Sequence, residues 1–271
     1  MKLLTALPLI LLSTASVGLA ATVAQFDGGP DTPWTGSQIG AAPGPVVASG
    51  FGPDGSDALQ VTLDGVNGQN NTVGFDRADV GAQNFVPFSF SFRAGPTAAS
   101  ADGFSFSLLP TSAYGTSGAA PFLSEDPTAA GVLAFGFDTW GNGAPFDGPN
   151  GPGGNSDYND ISLFWNGNLI AANLDPRASG LTIDDDLWHN AFGNFNMAAG
   201  TVSLTVDSLN IFNNVAVPGL TPYEYRLGFG GRTGGEDQNL YFDNISVGIP
   251  EPATAGLAGL GLCLMVRRRR N

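Results

Sequence analysis

Residues 86–93, Val-Pro-Phe-Ser-Phe-Ser-Phe-Arg, put Phe88, Phe90 and Phe92 at every second position, and Phe104, Phe106 and Leu108 repeat the pattern after Asp102-Gly103. Successive side chains of a strand point to opposite faces, so this period buries one face and leaves the other free of bulk. Residues 58–63 alternate in the same way. Residues 201–206 and 209–212 read as a hairpin, and Tyr225, Leu227 and Phe229 followed by residues 240–247 complete the series. Clusters of Gly, Pro, Asn and Asp separate the runs, and no 3.6-residue apolar period is sustained. Many short alternating strands require two sheets packed face to face, or a barrel. The 271 residues fit one such all-β domain. The phenylalanine stripes are assigned to the core. Residues 25–57, rich in Gly, Pro, Ser and Asp, read as an edge strand with long loops.

Two further strand-like runs, one ending at Phe137 and the other spanning Ile161 to Trp165, bracket a long connection. It carries Asp138, Asn142, Asp147, Asn150, Asn155, Asp157, Asn159 and Asp160, and no Lys, Arg, His or Cys. Calcium takes six to eight oxygen ligands in adaptable geometry, whereas zinc and copper favour His or Cys, so the loop chemistry suits a hard cation. Asp, Asn, Gly and Pro are also the ordinary residues of turns. The length of the connection favours a functional loop, since structureless loops beyond about 12–15 residues are uncommon in compact domains.

The two ends differ from the rest. Residues 1–20 carry Lys2, an apolar run over residues 3–12 and Gly18-Leu19-Ala20, the pattern of a secretory signal peptide. Near the other end, Pro250-Glu251-Pro252 precedes an apolar run over residues 253–266 and the cluster Arg267, Arg268, Arg269 and Arg270. Residues 250–271 resemble the PEP-CTERM sorting signal of exopolysaccharide-producing Gram-negative bacteria. That resemblance implies export and transient anchoring in the inner membrane through a short hydrophobic helix with the arginines inside. Cleavage by an exosortase-type processing enzyme and a final place at the cell surface or outside the cell would follow. The expected domain is therefore 21–249. Lys2 and the four terminal arginines are five of the ten basic residues and Glu251 one of the 24 acids, so residues 21–249 carry a formal charge of −18 and no lysine. Such a surface excludes nucleic acid, which is held through Lys and Arg, and favours divalent cations or neutral ligands. The single cysteine, Cys263, falls in the C-terminal segment, so the domain has no disulfide.

Four stretches line up in order with the L-type lectins. Ala101-Asp102-Gly103-Phe104-Ser105-Phe106 resembles their Ala-Asp-Gly strand entry, in which a cis peptide precedes a sugar-binding aspartate. Residues 133–140, Leu-Ala-Phe-Gly-Phe-Asp-Thr-Trp, resemble their Val-Ala-Val-Glu-Phe-Asp-Thr-aromatic strand, with Asn142 at the asparagine that bridges calcium and sugar. Trp188-His189 is similar to the start of a back-sheet hairpin, and residues 228–235 with 242–245 to the Gly-rich loop and final strand. The resemblance covers roughly residues 85–247 and implies a concanavalin-like jelly-roll β-sandwich that binds glycan without catalysis.

What it implies for the site is specific. Asp102 would accept from sugar hydroxyls, Asn142 would donate, Trp140 would offer its ring, and Gly234 and Gly235 would supply backbone contacts. Gly115 or Gly118 would replace the family's loop glycine, and Gly118 is taken here. Calcium (Ca2+) would be held by Asp138, the Trp140 carbonyl, Asn142 and one of Asp147, Asp157 and Asp160, of which spacing from Ile161 favours Asp157. Gly136 and Asp160 stand where the family's manganese ligands would be, so no manganese is expected. His189 is expected to be structural, and Arg232 to form a surface ion pair with Asp237 or Glu236. The concanavalin-like glucanases need a Glu-x-Asp-x-x-Glu strand, which residues 136–141 lack, so an enzyme is not expected. A glycan or exopolysaccharide partner and a purely structural matrix protein remain the two readings.

Overall fold

The computed structural model describes residues 21–96, 100–142, 153–155, 158–174 and 176–248. The expected signal peptide and sorting signal, along with Asp147 and Asp157, lie outside the described residues. In chain order the strands are β1 (Thr22–Ala24), β2 (Trp34–Gln38), β3 (Val46–Ala48), β4 (Ala58–Thr62), β5 (Asn70–Phe75), β6 (Val86–Gly95) and β7 (Gly103–Pro110). There follow β8 (Leu133–Asp138), β9 (Gly141–Asn142), β10 (Gly153–Asn155), β11 (Asp160–Trp165) and β12 (Asn168–Leu174). The last five are β13 (His189–Asn196), β14 (Thr201–Val206), β15 (Leu209–Ala216), β16 (Tyr225–Arg232) and β17 (Asn239–Val247).

Two antiparallel sheets form a jelly-roll β-sandwich, as the alternation requires. The front sheet runs β12-β11-β8-β7-β16-β5-β2 and the back sheet β15-β14-β13-β6-β17-β4-β3, with β1 also on β17. The hairpin expected at residues 201–212 is β14–β15, and His189 opens β13. One expectation needs correction: residues 25–57 hold two strands, not one. β2 pairs with β5 at the edge of the front sheet and β3 with β4 at the edge of the back. Neither alternates in hydrophobicity, which is why their pattern is unreadable; backbone pairing holds them, and Trp34 of β2 also packs against the core.

The core is a block of interleaved phenylalanines. Phe88, Phe90 and Phe92 of β6 meet Phe104 and Phe106 of β7 and Phe135 and Phe137 of β8. Ring centroids lie 4.8 Å apart for Phe90–Phe106, 4.4 Å for Phe104–Phe137 and 4.3 Å for Phe229–Phe242. Each such pair adds about 0.5–1.5 kcal/mol beyond the area it buries.

The other face of the front sheet is shaped by glycine. Where Phe75, Phe137 and Phe229 point into the core, their neighbours Gly74, Gly136, Gly228 and Gly230 point outward. Residues 118–126 lie in the trough these glycines leave. A Cβ would stand 2.9 Å from the Gly118 oxygen at Gly74, 2.1 Å from the Leu123 oxygen at Gly230, and 2.0 Å from the Glu125 oxygen at Gly136. This strap therefore crosses β5, β16, β7 and β8 in contact with their backbones. Both of its ends are tied to β16. Arg226, 1% exposed, donates from its two terminal nitrogens to the carbonyls of Gly118 (2.6 Å) and Ala119 (2.7 Å). Arg232, six residues on and on the same face, grips Glu125.

The strap cannot rise without breaking these ties, so a methyl in the trough forces a backbone shift. Gly230→Ala is expected to lower stability by about 1–3 kcal/mol, the usual range for overpacking. Gly29→Ala, with nothing within 4 Å, should change it little. Urea unfolding of both variants checks this, and equal midpoints would contradict the trough.

Candidate functional site

The row that closes one end of the front sheet is almost entirely charged. Arg232 of β16 is registered with Gly103 of β7, Gly103 with Asp138 of β8, and Asp138 with Asp160 of β11. Asp102 immediately precedes the row, and the strap lays Glu125 over Gly103. Asp102, Glu125, Asp138 and Asp160 are each 5% exposed or less. Four buried carboxylates thus share one end of a sheet, and Arg232 is the cation in their midst.

Each side chain is held by local structure. The Ala101–Asp102 peptide is cis, the geometry the resemblance implied at this position. Asp102 donates its backbone N–H to the Arg232 carbonyl and accepts from the Thr139 N–H, both at 2.9 Å. The hydroxyls of Thr139 and Ser100 both donate to Gln238 Oε1, at 3.1 and 2.7 Å, locking the end of β8 to the turn before β7. Asp138 Oδ1 accepts the Trp140 N–H at 2.8 Å, and Asn142 Nδ2 donates to the Trp140 carbonyl at 3.2 Å. A Cβ at Gly234 would lie 2.7 Å from Asp102 Oδ2, so only glycine lets that loop rest against the carboxylate.

Arg232 has other partners than expected. Its Nε lies 3.0 Å from Glu125 Oε2 and 3.3 Å from Asp102 Oδ2, and a terminal nitrogen engages Glu125 Oε1. Asp237 instead accepts the Gly65 N–H at 2.7 Å, and the Glu236 carbonyl accepts from the Gly234 N–H. Paired, planar recognition of two acids suits guanidinium, and a buried carboxylate is far more demanding of a partner than one at the surface. Burial pushes the Asp102 carboxyl up to about 6; the neighbouring Glu125 charge adds to the rise and Arg232 opposes it.

Asp102, Trp140, Asn142, Gly234 and Gly235, together with Arg232, line one open cavity of about 360 Å³. Gly118 is not among them. It sits at the start of the strap on Arg226, which pairs with Leu109, whereas Arg232 pairs with Gly103. Six residues of strand separate the two positions, about 20 Å. Asp157 is outside the described residues, and among those described no group of three or more His, Cys, Asp and Glu is arranged to hold a metal ion. The chemistry at hand nonetheless suits calcium. Asp138 and Asp160 stand directly opposite across β8 and β11, a pairing of like charges that costs free energy unless a cation offsets it. The Trp140 carbonyl and Asn142 add further oxygens. Asp160 also accepts from Ser162 (3.0 Å) and Tyr158 (3.3 Å), while Asn159 is engaged elsewhere, by Arg177 and the Ile183 N–H.

Glu125 is the residue that sequence reasoning missed. It lies in a segment without periodicity, and its only signal is being a lone glutamate amid Ala, Ser, Thr and Pro. His189 has a structural place on the back sheet: Nδ1 lies 2.8 Å from Asp207, Nε2 lies 3.0 Å from Asp185, and its ring packs on Phe92.

The fold is that of the legume-type lectins. A lectin from Bauhinia forficata in complex with GalNAc superposes with a TM-score of 0.57 at 15% identity, over 84% of this chain and 96% of its own. The exoplasmic/lumenal domain of VIP36, in a Ca2+/Man3GlcNAc-bound form, gives 0.52 at 12%, over 86% and 91%. Arcelin-5, a lectin-like defense protein from Phaseolus vulgaris, gives 0.51 at 12%, over 84% and 97%. No protein-family model and no curated protein matches the chain.

The raised Asp102 carboxyl makes stability depend on pH in a defined direction. Its folded value of about 6 lies above the ordinary 3.8, so the folded state binds the proton more tightly. Its contribution is fully present below about pH 4 and is lost as pH rises through 6, on the order of 3 kcal/mol. Asp102→Asn removes this dependence. In chelator-treated protein, the variant's stability relative to wild type should rise between pH 4 and pH 7; a constant difference would refute the assignment.

Proposed function

We propose that the domain is a non-catalytic, calcium-supported glycan-binding protein. A sugar presents paired hydroxyls and an apolar ring face, so its site requires a fixed carboxylate, an amide, backbone donors and an aromatic platform. The observation that carries the reading is the gathering of these groups around one cavity: Asp102, Asn142, Gly234 with Gly235, and Trp140. In this reading Asp102 accepts from two hydroxyls and Asn142 donates, while Gly234 and Gly235 supply main-chain contacts.

Asp138, the Trp140 carbonyl, Asn142 and Asp157 would hold the calcium, with Asp160 beside them. Bound calcium would supply rigidity to the loop after β8, lowering the entropy lost when glycan binds. Manganese has no place in the proposal: Gly136 lacks the family's glutamate, and the Glu125 carbonyl fills the space its side chain would need. Catalysis is disfavoured by the ion pairs. Glycoside hydrolysis uses two carboxyl groups flanking the scissile bond, whereas Asp102 and Glu125 are both tied to one guanidinium.

The signal-peptide and sorting-signal patterns support export, passing anchorage in the inner membrane and release or attachment at the surface after exosortase-type processing. There an exopolysaccharide is the natural ligand. The alternative, a structural matrix protein without sugar binding, is favoured by one observation: the two groups a sugar would use are already engaged, Asp102 by Arg232 and the Asn142 amide by the Trp140 carbonyl.

Residues 21–249 on a glycan array should bind in calcium and lose at least about tenfold in affinity on Asp102→Asn, about 1.4 kcal/mol. At pH 7 the variant should stay folded, with a thermal midpoint not more than a few degrees below that of wild type. Absence of binding to every glycan in calcium would hand the account to the structural reading.

A further inference from the structure

A second cavity of about 360 Å³ opens on the far side of Arg232. It is lined by the strap residues Ser124, Glu125 and Asp126, by Thr128 just beyond the strap, and by Phe164, Gly167 and Leu169 of the β11–β12 hairpin. Arg232 is common to both cavities. Phe164 is registered with Ala134 of β8, four residues from Asp138 in the charged row, so the second cavity reaches about 13 Å along the strands. Its floor is apolar. Phe164 and Leu169 form a cross-strand pair on the outward face, with Leu169 41% exposed above a buried Phe164. Its walls are hydroxyls and carboxylates of the strap.

We propose that the two cavities form one groove that binds an extended neutral glycan chain, one sugar resting on Asp102 and those that follow crossing Arg232 onto Leu169. This rests on the glycan-binding reading above and adds the size and charge of the ligand to it. The groove offers each sugar what sugars need, an apolar surface for the ring and polar edges for the hydroxyls. Charge sets the class. Arg232 already faces both Asp102 and Glu125, and Asp126 lines the groove beyond them. The groove therefore repels uronic or sulfated chains and admits neutral ones. The strap, fixed at both ends by Arg226 and Arg232, presents a preformed wall, so a longer ligand gains contacts without ordering the protein.

The test uses residues 21–249 in calcium, titrated with homo-oligosaccharides of mannose, galactose and glucose from one to six units, beside an oligogalacturonate series. Wild type should bind one neutral series with affinity rising at least about tenfold from one unit to three or four. Leu169→Glu, on an exposed edge strand, should erase that increment and keep the single-sugar affinity. Single sugars and longer chains binding equally well would overturn the groove and leave the glycan reading standing, as would tighter binding of the oligogalacturonates. Asp102→Asn separates the two ideas, since it should weaken every length alike. Failure of all series on glycan-inactive protein would sink both.

Discussion

The outer face of β16 sets the terms for the whole front of this domain. Arg226, Gly228, Gly230 and Arg232 occupy successive outward positions, two cations at the ends and two open positions between. A strap of irregular chain can lie against a sheet only if nothing protrudes beneath it and its own polar groups find partners. The glycines meet the first condition and the arginines the second. With the strap in place, Glu125 arrives beside Asp102, and the end of the sheet becomes a row of buried carboxylates around Arg232. An isolated buried carboxylate would cost several kcal/mol, and here that cost is offset by Arg232 at Asp102 and Glu125 and by hydrogen bonds from the Trp140 N–H, Ser162 and Tyr158 at Asp138 and Asp160.

The same arrangement explains the asymmetry of the two sheets. On the back sheet, alternation of Phe with Ser in β6 gives one buried face and one polar face. On the front sheet, Phe alternates with Gly at residues 74–75, 136–137 and 228–230, and the second face is covered by the strap rather than by water. All eight residues of β7 are buried in consequence, although the sequence alternates Phe with Ser as plainly as β6 does.

Much of the fold was legible because period-two patterning is a local property. The phenylalanines of β6, β7 and β8 and the β14–β15 hairpin follow from it directly. The site was legible only through resemblance, and only for residues carried on strand ends. Asp102, Trp140, Asn142, Gly234 and Gly235 do surround one cavity, because β7, β8 and β16 bring their ends together. Gly118 does not, since it belongs to a strap whose path depends on distant glycines. For the same reason Glu125 was invisible and Arg232 was matched to the wrong acids. An ion pair 107 residues apart in sequence leaves no local mark. Short β2 and β3, whose sequences do not alternate, were hidden too.

In the proposed reading a divalent cation completes the carboxylate row. Thermal unfolding of residues 21–249, stripped of metal and then titrated with calcium, tests it most directly, because a ligand that binds only the folded state raises stability by about 2.7 kcal/mol at a hundredfold excess over Kd. The midpoint should rise with calcium, a rise that Asp138→Asn abolishes and magnesium does not match. A midpoint indifferent to calcium and chelator would contradict it.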